Sequence, residues 1–475
     1  MFRKMLKWTA GVLLGLFIVV YGALAGFLWW GERHEKPPEM RADPVFVRSL
    51  QPHTIELIND GLTSLQRRIE MIDSAKESIE LEFFIYELDS SARIVTSKLF
   101  EAAKRGVKVK LLVDFSPAVL KLSPGYARGL EERGIEVRYY NTASLFRFVS
   151  SQHRSHRKLL IVDGKSAMTG GRNIGDDYFN LSTHYNFLDS DVKVEGPVAQ
   201  SIRESFMHYW ESDLALRSSS LPVDAQSGDD RFFSLEPALA ETIVQIENIA
   251  GARKKPPVQH VCNDVVFATD YIGKSAFNRQ VFKRLAEFLG EARSELVGES
   301  PYFILRKDGI DLLKQLTDRG VSQRFLTNSL SSTDAWYTIS ALSLSLSGME
   351  KAKIDLRVYD GSRPKERLLT INEASSRWGV HAKRAVVDRK HIVIGTYNVD
   401  PRSANFNSEL MLICRDNPGL AEEMLADIND RITRSRKLFD SEKGALETLL
   451  EGSHGNEKMK FALALPLVFF FDFIL

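Results

Sequence analysis

The sequence predicts an α/β protein made of two similar α/β domains in one chain, related by a pseudo-twofold axis, with one active site at their interface and an N-terminal transmembrane helix. Three observations carry this. Helix-like and strand-like segments alternate in both halves, one pattern of polar residues recurs with the same spacing in each half, and an uncharged apolar run of 23 residues, Trp8 to Trp30, stands near the start.

Taken in order, Arg3, Lys4 and Lys7 precede that run, which is long enough to span a bilayer. Trp29 and Trp30 at its end suit a membrane interface, and residues 1–36 are expected to form an uncleaved anchor. The alternative is a secretory signal peptide cut near Ala23-Leu24-Ala25, which would release the protein. Basic residues flank both sides, so orientation stays open.

Residues 37–216 form the first expected domain. Within it residues 63–77 have helical periodicity, Ile79 to Tyr86 is strand-like, Ser91 to Lys104 is helical and Val107 to Val113 is strand-like, an order that implies a parallel βαβ unit. Serines and Pro222 mark a linker over 217–235. The second domain, 236–445, repeats the order, with helix over 276–293, strand over 294–298, helix over 309–319 and strand over 323–327. Ala103-Lys104-Arg105-Gly106-Val107 is echoed by Thr317-Asp318-Arg319-Gly320-Val321, each glycine ending a helix before a strand. Residues 446–475 form a tail whose apolar end, from Phe461, is short for a span and contains Pro466. An interfacial or re-entrant anchor and a buried terminal helix are the two readings.

Composition excludes some classes. Lysine plus arginine number 63 and aspartate plus glutamate 62, a net charge of +1, which lacks the positive field of non-specific nucleic-acid binders. Cys262 and Cys414 lie far apart without paired spacing, so neither a disulfide framework nor a zinc site is indicated and both are expected to be core thiols.

The strongest signal is His156-Arg157-Lys158 followed by Asp163, repeated as His381-Ala382-Lys383 followed by Asp388. A random histidine would have Lys and Asp at both offsets about once in 300 at ordinary composition. Gly170 and Gly395 then follow at matching distances, as do Asn173 and Asn398. The apolar runs Leu159–Val162 and 385–387 suggest buried strands, on which residues two apart face one side, so each histidine and its lysine would project together. Such a set suits a phosphodiester. One neutral imidazole attacks phosphorus, a protonated one protonates the leaving oxygen, and lysines and asparagine amides hold the phosphoryl oxygens. No metal or other cofactor is required.

These residues resemble the phospholipase D superfamily, whose mark is two copies of histidine, lysine and aspartate at this spacing, each followed by a glycine-rich strand end and an asparagine. The resemblance covers roughly residues 55–440. Gly170 to Asp176, Asp400-Pro401-Arg402-Ser403, Ser300-Pro301-Tyr302-Phe303 and Leu326-Thr327-Asn328-Ser329 look most like bacterial cardiolipin synthases of the C-type branch. The resemblance implies His156 as nucleophile and His381 as general acid and then base, in a site with Lys158, Lys383, Asp163 and Asp388. The two aspartates are expected to brace the motif strands. Glu409 implies an imidazole-orienting carboxylate, with Asp191, in Asp189-Ser190-Asp191-Val192, as the matching candidate. Thr396 departs from the pattern where the first copy has Gly171, and would either narrow the pocket or supply a hydroxyl.

Surface roles are the expectation for Arg154, in a solvated basic face, and are one of two readings for Arg172, the other being contact with a head group. Lone histidines elsewhere, and the aromatic residues Tyr302, Phe303, Trp378 and Phe406, are expected to be structural. The implied activity is phosphatidyl transfer forming cardiolipin at the bacterial inner membrane, with a phospholipid and the membrane as partners and neither nucleic acid nor an obligate protein partner. Hydrolytic phospholipase D and a superfamily nuclease or phosphodiesterase are the competing functions.

Overall fold

In the computed structural model the described residues are 45–143, 148–222, 230–233, 257–273, 279–364, 376–439 and 442–471, with isolated positions in 11–26 and 241–248. Most of the apolar run from Trp8 to Trp30, and so the expected anchor, lies outside them. Among the described residues no helix is long and apolar enough to cross a membrane.

Each half is one nine-stranded mixed sheet, and the two have the same order. In the first the strands run Ala215–Arg217, Ile135–Tyr140, Lys108–Asp114, Ser78–Phe83, Leu159–Val162, Ser166–Gly170, Asp191–Glu195, His53–Ile58 and Gln259–Cys262. In the second they run Ser435–Lys437, Asp355–Tyr359, Ser322–Asn328, Glu295–Glu299, Arg384–Val387, His391–Gly395, Leu410–Cys414, Val265–Thr269 and Phe46–Ser49. Only the strands joined by helices, such as Ser78–Phe83 with Lys108–Asp114 and Glu295–Glu299 with Ser322–Asn328, are parallel. The motif strands and everything beyond them are antiparallel to their neighbours, and short turns join Leu159–Val162 to Ser166–Gly170 and Arg384–Val387 to His391–Gly395.

The periodic helices form close to where the pattern predicts, at Gly61–Ser74, Ser90–Lys104, Gln280–Gly290 and Lys307–Asp318. Asp60 and Asp89 cap the first two by accepting from Thr63 N and Ala92 N. Gly106 and Gly320, the echoed glycines, have φ of 89° and 83°, the left-handed turn each helix needs before its strand.

Alternation along the motif strand divides the core. Leu160 and Val162 face the outer helices of the first half, while Leu159 and Ile161 join a central cluster with Val386, Ile392 and Leu412 of the second sheet. The helices Pro197–Trp210 and Pro418–Ile432 contribute Ile202, Phe206, Met424 and Ile428 to the same cluster, so one apolar layer is shared by both halves.

The chain crosses between the halves twice. Phe46–Ser49 pairs with Val265–Thr269 of the second sheet before the chain enters the first, and Gln259–Cys262 pairs with His53–Ile58 of the first before it enters the second. The cysteines correct the expectation of two free thiols. Cys262 on the edge of the first sheet is disulfide-bonded to Cys414 in the second, across 152 residues.

Candidate active site at the domain interface

Two parallel bridges between the halves build the site. Ser155 bridges Ser408, so the next residue on each chain, His156 and Glu409, become neighbours. Tyr185–Leu188 pairs in parallel with Arg377–Val380, ending at Leu188 opposite Val380, so Asp189 and His381 become neighbours. Each histidine thus receives its carboxylate from the other half. The histidines sit just ahead of the motif strands rather than within them.

His156 Nδ1 lies 3.1 Å from both Glu409 carboxylate oxygens and 3.1 Å from the Thr396 carbonyl oxygen. A carbonyl only accepts, so Nδ1 carries the proton and Nε2 keeps its lone pair. Burial, then Lys158 and Lys383, hold the His156 pKa well below the usual imidazole value. Glu409 is completely buried and accepts from Thr396 Oγ1 at 2.5 Å, Ser403 Oγ at 2.8 Å and Asn407 Nδ2 at 3.3 Å. Burial pushes its pKa up to about 7 despite Lys158 and these donors. The Thr396 hydroxyl therefore serves Glu409, and its carbonyl serves His156.

His381 Nδ1 lies 2.6 Å from Asp189 Oδ2. Burial favours a neutral Asp189, but His381, Lys383 and Arg172 outweigh it and keep the carboxylate ionised. Burial and Lys383 lower the His381 pKa to about 4 against the pull of Asp189. Arg172 Nη2 and Arg431 Nη2 both donate to the Asp189 carbonyl, which fixes the turn that carries it.

Asp191, the expected partner, lies elsewhere. Its Oδ2 accepts from Ser64 Oγ at 2.5 Å, Arg68 Nη1 at 3.0 Å and Arg172 Nη1 at 3.1 Å, away from either imidazole. Register explains the miss. Gly170 pairs with Asp191 and Gly395 with Met411, so the counterpart of Glu409, two residues before Met411, is Asp189. A shorter loop in the second copy hides this from residue counting.

Lys158 Nζ donates to the His156 carbonyl at 2.7 Å and Lys383 Nζ to the His381 carbonyl. Among the described residues neither ammonium has a salt bridge, although both are buried. Burial lowers Lys158 well below the usual lysine range, and lowers Lys383 to about 8, even with Glu409 and Asp189 nearby. Two buried amines with no carboxylate bound, beside two imidazoles of lowered pKa, make a site whose protonated forms an anion favours. Asn173 accepts from Ile85 N through Oδ1 and donates to Tyr178 OH at 2.9 Å, whereas Asn398 Oδ1 is buried without a partner.

Asp163 and Asp388 stand at the far ends of the motif strands from the histidines, where they brace those strands as expected. Asp163 accepts from the backbone N–H groups of Lys76, Glu77 and Ser78, and Asp388 from those of Arg293, Ser294 and Glu295. Their φ angles are 53° and 51°, a turn geometry that aspartate tolerates. Each pins the start of the neighbouring strand. Arg154 is likewise buried rather than solvated and pairs with Asp114 at 3.2 Å, and Arg172, at 0% exposure, pairs with Asp191 at 3.1 Å.

An apolar cavity of about 360 Å³ lies behind the Asn398 loop, lined by Phe282, Leu285, Phe303, Leu312, Tyr397 and Val399. A smaller one of about 50 Å³ shares Leu285, Phe303, Tyr397 and Val399 and reaches Lys383.

The family model described as cardiolipin synthase, phospholipase D-like domain matches residues 68–210 and 285–432, the two segments that carry the bridged histidines. The chain belongs to this family. It is an enzyme of the phospholipase D superfamily. Cardiolipin synthase C of Escherichia coli (strain K12) is 27% identical over 406 residues, covering 79% of this chain and 82% of that protein. Major cardiolipin synthase ClsA of Bacillus subtilis (strain 168) is 23% identical over 389 residues, covering 82% and 70%. The phosphatidylserine synthase structure of Haemophilus influenzae Rd KW20 superposes with a TM-score of 0.62 at 15% identity, covering 89% of this chain and 95% of that one, which establishes the shared fold.

Proposed function

We propose that this enzyme is a phosphatidyltransferase that makes cardiolipin from phospholipids through a covalent phosphatidyl-histidine intermediate. The observation that carries the reading is the reciprocal pair of imidazoles, each held at Nδ1 by a carboxylate of the opposite half, beside two buried lysines. His156 Nε2 attacks the phosphorus of a donor phospholipid, the P–O bond to the head-group alcohol breaks, and His381 gives that oxygen its proton. A hydroxyl of a second lipid then attacks the phosphorus, passes its proton to His381 and frees His156.

Charge supports this order. A bound phosphodiester carries one negative charge beside Lys158, Lys383 and His381, so it raises the pKa of His381 and supplies the protonated acid that the empty site disfavours. Asp189 stabilises the resulting imidazolium. Asn398 and Asn173 supply side-chain amide N–H groups as donors to the phosphoryl oxygens. The apolar cavity beside the Asn398 loop and the names of the relatives favour a lipid over a nucleic-acid phosphodiester.

Labelled phosphatidylglycerol incubated with membranes carrying the wild-type chain or His156→Ala tests the reading. Cardiolipin formed by the wild type alone is the expected outcome. Phosphatidic acid as the sole product would replace transfer by hydrolysis, and turnover by His156→Ala would overturn the nucleophile.

A further inference from the structure

The last helix, Gly455–Phe471, is 17 residues long and packs against Trp336–Lys351 through one side only. Phe461, Ala464 and Val468 are buried there, and the Phe461 carbonyl accepts from Ser340 Oγ at 3.0 Å. The opposite side is apolar and uncovered. Met459, Leu463 and Leu467 recur every fourth residue at 59%, 67% and 52% exposure, and Phe469 is 66% exposed. From Phe461 to Phe471 no side chain is charged or polar. A contiguous apolar stripe of this kind is costly in water, and large exposed patches mark a partner.

Length and charge identify the partner. Over its described residues, at 1.5 Å per residue, the helix is about 25 Å long, short of the roughly 30 Å hydrocarbon core, and one side is buried against protein rather than free to face lipid. Lys458 and Lys460, both exposed, stand at its start, so cations precede the apolar stripe and meet the negative potential of an anionic lipid surface. Position adds a purpose. Ala464 and Val468 share a cluster with Ile304 and Ala341, against which Trp336 packs, and Phe303, the neighbour of Ile304, bridges Val399 beside Asn398. Tyr302 and Asp334, on the two segments that flank this cluster, are hydrogen-bonded at 3.1 Å.

We infer that Gly455–Phe471 is a membrane-docking surface whose Met459, Leu463, Leu467 and Phe469 enter the outer part of an anionic bilayer, holding the rim of the active site against the lipid. The docking stands on the exposed helix; its value for turnover rests on the phosphatidyl transfer proposed above.

The two native cysteines are joined to each other, so Leu463→Cys in the full-length chain offers a single thiol for a fluorescent label. With vesicles of phosphatidylglycerol and phosphatidylethanolamine, the label is expected to be quenched by headgroup-region nitroxide lipid and shielded from iodide, whereas one at the exposed Lys104→Cys is not. Iodide quenching at 463 that is unchanged by vesicles would overturn the docking surface. So would shielding without lipid accompanied by a doubled mass, which would make the stripe an interface between two copies. In the second arm, Leu463→Glu with Leu467→Glu is expected to raise the vesicle concentration for half-maximal rate about tenfold and leave turnover of a monomeric short-chain phosphatidylglycerol unchanged. Equal loss on both substrates would contradict docking. If wild type turns over neither lipid, the functional reading fails while the quenching result still decides the helix.

Discussion

Asp189 and Asp191 lie two residues apart, yet one faces His381 and the other a buried arginine pair. Their substitutions should therefore separate cleanly. Asp189→Asn keeps the shape but removes the charge that stabilises an imidazolium, and is expected to lower kcat by about 10²–10⁴-fold with little change in stability. Asp191→Asn leaves Arg68 and Arg172 buried with a weaker acceptor and is expected to cost about 1–3 kcal/mol in denaturant unfolding. The reverse pattern would restore Asp191 as the orienting residue. A pH profile gives a second test. Lys383 is lowered to about 8 by burial, so its charge is present below that pH and lost above it. The kcat/KM for an anionic donor is expected to fall above about pH 8, and the kcat limb to lie higher because bound phosphate favours the ammonium. Lys383→Arg should move the kcat/KM limb upward. A limb unmoved at about 8 would assign it to another group.

At the scale of elements, each motif strand works through its two ends. At one end a histidine and a lysine enter the site, and at the other Asp163 or Asp388 gathers three backbone N–H groups and sets the start of the adjoining strand. The repeated aspartate was legible as a spacing and as a brace, but which strand it holds was not, because its backbone donors lie 85 or more residues away. The same limit applies to Arg154 and Arg172. A local basic run reads as a solvated face, and only Asp114 and Asp191 on other elements account for their burial.

For the whole molecule, the decisive feature is that neither half completes its own site or its own sheet. His156 depends on Glu409, His381 on Asp189, and each sheet ends in a strand contributed from across the linker region. The Cys262–Cys414 bond ties the exchanged edge strand of the first sheet to the Leu410–Cys414 strand inside the second. A cross-link closing a loop of this size stabilises by about 2–4 kcal/mol, chiefly by restricting the unfolded chain. Cys262→Ser with Cys414→Ser is expected to lower the unfolding free energy by that amount, measured by denaturant titration. Equal stability of wild type with and without reductant would show that the bond contributes nothing to holding the halves.

The alternation of elements, the duplicated polar pattern and the pairing of each histidine with its lysine were readable from residue order, because helix and strand periods and motif spacings are properties of neighbours in the chain. The identity of Asp189, the role of the Thr396 hydroxyl, the burial of Arg154 and the disulfide were not. Each depends on strand register between segments up to 253 residues apart, as with His156 and Glu409, and such register is set by which apolar faces pack together rather than by any local pattern.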